Sequence, residues 1–211
     1  VGYSQLQGII FNAAVTQDNV FGTGKRVGFN FNNSRLNTIY SLNYFNPYAS
    51  IDGISHGFDM TYRRMNAYYT NLANYTTNTG DIGTNLSIPI NEFDRVNFNL
   101  DLNRTDVKTT AYSPTQILDY IRYYTKDPLK SAYAFDYIPI SVGYVHDTLN
   151  RAMFPTEGGA QRIQVMGTPP VFGTSSVAFF KASGKTQHFF PLAKDLTLQL
   201  SAEAAYGDGL N

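Results

Sequence analysis

Short segments in which apolar and polar residues alternate recur along almost the whole chain. In the clearest, within residues 95–107, Val96, Phe98, Leu100 and Leu102 alternate with Asn97, Asn99, Asp101 and Asn103. Successive side chains of a β-strand point to opposite faces, so such a segment has one apolar and one polar face. The same alternation recurs around residues 27–31, 40–44, 58–62, 82–88, 140–144, 163–165 and 196–200. The pattern predicts an all-β protein built from many strands.

Two all-β architectures produce this alternation: a soluble β-sandwich with its apolar faces inward, and a transmembrane barrel with its apolar face toward lipid. The predicted strands are roughly 9–12 residues long, the length that a tilted membrane strand needs. Their polar faces carry Asn, Ser, Thr, Gln and Gly with few Lys or Glu, which suits a wet lumen. We therefore predict a transmembrane antiparallel up-and-down β-barrel, with the sandwich as the alternative.

The hydropathy of the chain is compatible with such a barrel. The mean hydropathy is −0.26, and no run approaches the roughly 18 apolar residues of a membrane helix. Only alternate residues of a barrel strand face lipid, so the average stays low. The 16 Tyr and 15 Phe residues suit interfacial belts, although a Tyr-rich soluble protein could also contain them.

Composition excludes several classes of function. The 211 residues suit one domain, and the net charge of zero argues against a nucleic-acid partner. Without cysteine, neither disulfides nor a thiolate metal site can form. The histidines, His56, His146 and His188, are too far apart for metal-ligand spacing. Nothing at Val1 resembles a signal peptide, so a leader has been removed or the chain is a fragment.

The run Gly22-Thr23-Gly24-Lys25 invites comparison with nucleotide-binding loops. A phosphate loop needs a further glycine five residues before Gly24, where Asn19 stands, and a dinucleotide loop needs a helix to follow. Residues 26–32 alternate as a strand instead. We interpret the glycines as a turn between two strands.

No combination of residues indicates catalysis, a cofactor or a metal. The chain has no G-x-S-x-G nucleophile elbow, and its carboxylates are scattered singly. We expect Asp59, Asp101 and Glu203 to pair with arginines of the lumen. The candidate partners are Arg63, Arg104 and Arg162. The chain is therefore predicted not to be an enzyme.

The connections between strands tend to alternate in length, as when one edge of a barrel faces the periplasm. Short turns are predicted near 20–24, 47–53, 91–94 and 191–195, and longer connections near 68–78 and 108–132, with 148–158 intermediate. The longest should hold a helix, capped by Ser113, with Pro114 in its first turn. Its apolar stripe is Ile117, Leu118 and Ile121. Aromatic residues that could form an interfacial belt beside the short turns are Tyr44, Phe45, Tyr48, Phe93, Phe154, Phe189 and Phe190.

The most distinctive segment joins two strands at residues 147–159, Asp-Thr-Leu-Asn-Arg-Ala-Met-Phe-Pro-Thr-Glu-Gly-Gly. Pro155 removes a backbone donor, and Gly158-Gly159 permits a sharp reversal. Taken alone, the segment is compatible with an ordinary turn.

Together with four other segments, it resembles the BamA family, the central subunits of the bacterial outer-membrane β-barrel assembly machinery. The other segments are Gln17–Gly24, Asn46-Pro47-Tyr48 with Asp52-Gly53, Ile88–Glu92, and Tyr206–Leu210. The resemblance implies the end of one strand at 1–3 and ten further strands of a barrel of about sixteen. These are 7–19, 25–33, 37–46, 54–67, 79–90, 95–107, 133–147, 159–168, 174–190 and 195–207.

The resemblance also implies a function: folding barrel proteins and inserting them into the bacterial outer membrane through a lateral seam, without cofactor. It implies contacts with outer-membrane lipid, unfolded client proteins and accessory lipoproteins. Residues 1–211 would be part of a barrel domain, with periplasmic repeats and C-terminal strands outside this chain. The family turn residues are Gly22, Gly24, Arg151, Phe154, Pro155, Thr156 and Gly158, with Arg151 holding polar groups inside the wall and Phe154 at the interface. Related secretion or translocation pores and a passive porin or adhesive barrel are the alternatives.

Overall fold

A computed structural model describes residues 1–70, 74–127, 129–169 and 178–209. Its twelve strands form a single sheet. They are β1 (Gly2–Ser4), β2 (Gly8–Gln17), β3 (Arg26–Asn33), β4 (Asn37–Asn46), β5 (Ser55–Asn66), β6 (Tyr75–Pro89), β7 (Asp94–Thr109), β8 (Ala132–Tyr137), β9 (Ile140–Asp147), β10 (Gly158–Gly167), β11 (Phe179–Ala193) and β12 (Leu196–Gly209). Helix α1 is Thr115–Thr125, and 3₁₀ turns cover Val20–Gly22 and Ala67–Thr70. The strands implied by the family resemblance agree with these bounds to within a few residues, apart from the start of the strand at 174–190, which lies outside the described residues.

The strands follow one another in an antiparallel meander, and only β8 and β9 depart from it because both pair with β7. Their registers are continuous, with Asn103 opposite Tyr137 and Leu100 opposite Ile140. The interruption falls at Pro139, which has no N–H to donate but still accepts a hydrogen bond from the Asp101 N–H at 3.0 Å. The predicted strand 133–147 thus corresponds to β8 and β9, which pair with β7 in one continuous register and are separated at Pro139.

The register aligns apolar residues on one face of the sheet. Phe29, Leu42, Met60, Ile82 and Leu102 occupy one row across five strands, and all are partly exposed. Among the described residues, the buried hydrophobic side chains are only Ala67, Ile121 and Ala160. A single open sheet with so little core does not fit a sandwich, in which a second layer covers the apolar faces. It fits a barrel wall whose apolar face meets lipid.

On the opposite, polar face, glycines make room for larger neighbours. A Cβ atom on Gly57 would lie 2.9 Å from the Asn85 Cγ, and one on Gly83 would lie 2.9 Å from both Asp59 carboxylate oxygens. Real Cβ atoms do not approach other atoms so closely. Gly57 and Gly83 are therefore explained by close packing of polar side chains in the lumen.

The connections lie on two edges of the sheet. We call the edge formed by 18–25, 47–54, 90–93, 148–157 and 194–195 the turn edge. The described residues of the other connections lie at the opposite edge: 5–7, 34–36, 67–70, 74, 110–127, 129–131, 168–169 and 178. The long connections predicted from sequence lie on the opposite edge, but so do the short ones at 5–7 and 34–36. The alternation of short and long is consequently only partial.

Helix α1 lies within the longest connection, and Ile121 on its apolar stripe is completely buried. The prediction that Ser113 caps the helix is wrong, because Pro114 occupies the N-cap position and no side chain bonds there. Ser113 instead accepts a hydrogen bond from the Thr110 N–H at 2.9 Å and donates one to the Asn74 carbonyl. Pro128, predicted to follow the helix, lies outside the described residues.

No helix in the described part of the chain is long and apolar enough to cross a bilayer.

Candidate functional site at the turn edge

All seven family turn residues lie at the turn edge: six in the connections 18–25 and 148–157, and Gly158 as the first residue of β10. Along the sheet, β3 and β9 are five strand spacings apart, or roughly 25 Å at about 4.8 Å each. The residues therefore share an edge but do not form one cluster.

The connection 18–25 is a tight turn with several left-handed residues. Asn19, Gly22 and Gly24 have φ values of 60°, 74° and 72°. The Asn19 Oδ1 accepts a hydrogen bond from the Gly24 N–H at 2.6 Å, and the Val20 N–H donates to the Lys25 carbonyl at 2.8 Å. No atom lies within 4 Å of a Cβ built on Gly22 or Gly24, so conformation rather than space favours glycine there. The interpretation of this run as a glycine turn is confirmed.

The connection 148–157 is held by a network around Asn150. The Asn150 Oδ1 accepts hydrogen bonds from the N–H groups of Thr156 at 3.1 Å and Glu157 at 3.3 Å. Its Nδ2 donates to the Thr156 hydroxyl at 2.9 Å, and its own N–H donates to the Glu157 carbonyl at 3.2 Å. Sequence reasoning singled out Thr156 but missed Asn150. An Asn six residues before a Thr within a turn is the signal that could have found it.

Gly158 closes this connection, where both conformation and space require glycine. Its φ is +95°, and a Cβ atom would lie 2.8 Å from the Thr148 carbonyl carbon and closer still to its oxygen. Next to it, the Gly159 N–H donates to the Thr148 hydroxyl at 3.0 Å. The backbones at the two ends of the connection are thus in direct contact.

The other three family residues of this connection, Arg151, Phe154 and Pro155, take no part in the hydrogen bonds around Asn150. Phe154 has a φ of 55° and is 85% exposed, and Pro155 precedes the bonded Thr156. Arg151 is exposed and lines a cavity on the polar face, but makes no hydrogen bond or ion pair with the residues that the structure describes. The interior contact predicted for Arg151 is therefore not among those observed.

A polar cluster joins the neighbouring connection, 90–93, to β9. The Asp94 Oδ1 accepts hydrogen bonds from the Tyr144 hydroxyl at 2.5 Å and lies 2.7 Å from the His146 Nδ1. The Asn91 Nδ2 donates to the Asp94 Oδ2 at 2.6 Å. Asp94 is two residues before Val96 in β7, so its side chain points to the same, apolar face. Its cross-strand neighbour His146 and Tyr144, opposite Val96, lie on that face too. The sequence alone could not pair His146 with Asp94, because the two residues are 52 positions apart.

Large apolar side chains are exposed along the turn edge. Phe21 at the tip of its turn is 99% exposed. Others are Tyr48, Ile51, Ile90, Phe93, Met153, Phe154 and Leu192. Of the predicted aromatic belt, Tyr44 and Phe190 lie on the apolar face, but Phe45 and Phe189 lie on the polar face, opposite Arg26 and Gln199 respectively. Adjacent residues of a strand point to opposite sides, so neither pair Tyr44-Phe45 nor pair Phe189-Phe190 can lie wholly in a belt.

Inside the turn edge, the polar face forms a cavity of about 1060 Å³. Its lining includes Arg95, Arg151, Arg162, Gln164 and Gln187. These side chains make this end of the lumen polar and partly cationic.

The ion pairs of the lumen differ from those predicted. Asp59 and Asp101 come together with Asp81, with one carboxylate oxygen of each within 4.8 Å of the others, and this is the one group of three candidate metal ligands among the described residues. Glu203 pairs with Lys185 at 3.9 Å rather than with an arginine. Arg104 lies on the apolar face, 3.7 Å from both Asp106 and Asp136. The predicted pairing with Arg63, Arg104 or Arg162 is wrong because the register, invisible in one sequence, places other residues opposite these carboxylates.

Comparison with known proteins matches this geometry to one family. Residues 19–211 match the Omp85 superfamily domain. The chain is 30% identical to the "Outer membrane protein assembly factor BamA" of Neisseria meningitidis serogroup B, over 99% of this chain and 26% of that protein. It therefore spans about a quarter of the length of this curated relative. The crystal structure of BamA from Haemophilus ducreyi lacking POTRA domains 1–3 superimposes with a TM-score of 0.75 at 24% identity, covering 99% of this chain and 40% of that chain.

Proposed function

Because the chain belongs to the Omp85 superfamily, we propose that it is part of the barrel of an outer-membrane protein assembly factor. Its location is the bacterial outer membrane. The observation that carries the proposal is the match to an assembly factor over 99% of the chain at 30% identity. The apolar face of the meander supports it, because such a face suits a wall bounded by lipid.

In this proposal the described strands are the supporting wall of the barrel, and assembly takes place at a lateral seam elsewhere in it. A seam offers the unpaired N–H and C=O groups of a strand to an incoming strand, which adds by β-augmentation. The wall must resist opening while the seam yields. Its long hairpins suit this role, since β6 and β7 pair over fifteen residue positions and β11 and β12 over fourteen.

The partners that follow are unfolded outer-membrane proteins, accessory lipoproteins of an assembly complex, and outer-membrane lipid. We propose no catalytic reaction and no cofactor, since pairing of strands and burial of apolar faces in lipid release the free energy that insertion needs. The family turn residues are proposed to be structural. Periplasmic repeats and further barrel strands are proposed for the rest of the protein.

A depletion experiment in the source bacterium tests this function. When the intact protein is depleted, we expect folded outer-membrane barrels of several unrelated families to decrease together, measured by heat-modifiable gel mobility of membrane fractions. Loss of one secreted protein with normal barrels would instead indicate a two-partner secretion pore. Loss of solute uptake alone would indicate a porin, and either result would overturn the proposal.

A further inference from the structure

We propose that a groove around Gly80, on the apolar face, binds one acyl chain of an outer-leaflet lipid. This inference goes beyond the proposed function, because it requires only that the apolar face meets lipid and that the turn edge faces the periplasm. The outer leaflet follows because Gly80 lies in the half of β6 farther from the turn edge.

The groove originates in the register of three strands. Gly80 of β6 stands between Tyr62 of β5 and Arg104 of β7. The next row toward the turn edge carries Met60, Ile82 and Leu102 in the same three strands. The row of Gly80 holds two long side chains with a glycine between them, which leaves a notch. The neighbouring row toward the turn edge has a large apolar side chain at all three positions.

The surroundings of Gly80 show that the notch is open. No atom lies within 4 Å of a Cβ atom built on Gly80. The cavity at this position has a volume of about 440 Å³, and its lining includes Met60, Tyr62, Ile82, Leu102 and Ile138. Met60, Tyr62 and Ile82 are 48%, 42% and 41% exposed, so their apolar surfaces border the cavity without filling it. The glycine here differs from Gly57 and Gly83, whose missing side chains leave room for polar neighbours.

Charged residues mark the depth of the groove in the membrane. Arg104 and its cross-strand neighbour Asp136 lie in the row of Gly80 and also line the cavity. Arg104 is 3.7 Å from Asp136 and 3.7 Å from Asp106, which lies one row nearer the opposite edge. Charged groups on the lipid-facing surface are costly at the bilayer centre and tolerated near the interface. The row of Gly80 therefore lies at the hydrocarbon boundary, and the row of Met60, Ile82 and Leu102 lies just inside it.

The position of the groove selects its occupant. Empty space in hydrocarbon forfeits dispersion contacts of the side chains that line it, so the surrounding material fills it. At this depth that material is the acyl chains of the outer leaflet. The walls formed by Tyr62 and Leu102 would hold one such chain in more contacts than the filled rows of the sheet can offer.

Photolabelling of the intact protein tests the groove. The protein is reconstituted in vesicles of phosphatidylethanolamine and phosphatidylglycerol that contain a tracer phospholipid with a diazirine in the middle of one acyl chain. We expect the labelled peptides to concentrate at residues 60–62, 82 and 102 rather than along the whole apolar face. The variant Gly80→Leu should lower this labelling roughly fivefold, equivalent to about 1 kcal/mol.

Gly184→Leu is the matched control, because Gly184 also lies on the apolar face, opposite Ile163, and its nearest neighbour to a built Cβ is 4.0 Å away. It should leave labelling at 60–62 unchanged. Heat-modifiable gel mobility verifies that both variants fold. If Gly80→Leu does not fold, Tyr62→Ala removes a wall and should also lower labelling, with Phe98→Ala as its control. Uniform labelling of the apolar face, or equal labelling of Gly80→Leu and the parent, would overturn the proposal.

Discussion

The two turns that carry the family residues use glycine for different reasons. In 18–25, Gly22 and Gly24 adopt left-handed backbone angles in open space. At the end of 148–157, Gly158 adopts such an angle, and a side chain on it would also collide with the Thr148 backbone. The first turn depends on local conformation alone, and the second also on contact between two chain segments. Substitutions at the two turns should therefore differ in cost.

The largest effect is expected for Gly158→Val. A β-branched side chain would collide with the Thr148 backbone and force an unfavourable φ, so we expect a loss of about 3 kcal/mol or more. The fraction of heat-modifiable folded protein and the urea midpoint in detergent micelles measure it. Gly167→Val is the control, because Gly167 also ends β10 but has no atom within 4 Å of its Cβ position. Equal losses in both variants would refute the contact argument.

Asn150→Ala should have the next largest effect. It removes one acceptor and one donor that together bind Thr156 and Glu157, and we expect a loss of about 1–3 kcal/mol in the same urea measurement. Asn150→Asp keeps the acceptor and loses the donor, so it should fall between Asn150→Ala and the parent. An Ala variant as stable as the parent would mean that water satisfies these groups equally well.

Gly24→Ala should cost less, about 1 kcal/mol, because only the left-handed angle resists the new side chain. Gly24→Asn should cost less again, since Asn adopts this region more readily than Ala. The ratio of these losses to that of Gly158→Val measures the difference between the turns. Losses at Gly24 as large as at Gly158 would remove the distinction.

The smallest effect on stability in micelles is expected for Phe21→Ala and Phe154→Ala, within about 0.5 kcal/mol, because both rings are exposed. In vesicles, their loss should raise the rate at which the folded protein becomes extractable, since rings at the membrane interface anchor a barrel. Leu129→Ala is a control, because Leu129 is similarly exposed but belongs to the opposite edge. Unchanged extraction for both Phe variants would exclude an anchoring role.

The sequence predicted what depends on local order along the chain. Alternation in Val96–Leu102 identified a strand and its faces, and the glycines near Gly22 identified a turn, because both follow from neighbouring residues. It did not predict the convergence of Asp59, Asp81 and Asp101 or the contact of Asp94 with His146. These depend on register between strands, which a single sequence does not specify. The error at Phe45 arose from grouping adjacent aromatics by position without applying the alternation that separates their faces.

The glycines packed against larger polar neighbours in the lumen have an evolutionary consequence. A side chain at position 57 would meet the Asn85 amide, and one at position 83 would meet the carboxylates of both Asp101 and Asp59. A mutation that adds a side chain at either glycine requires the facing side chains to move aside or to become smaller. Across relatives, substitutions at each glycine should therefore be correlated with substitutions at the residues that face it.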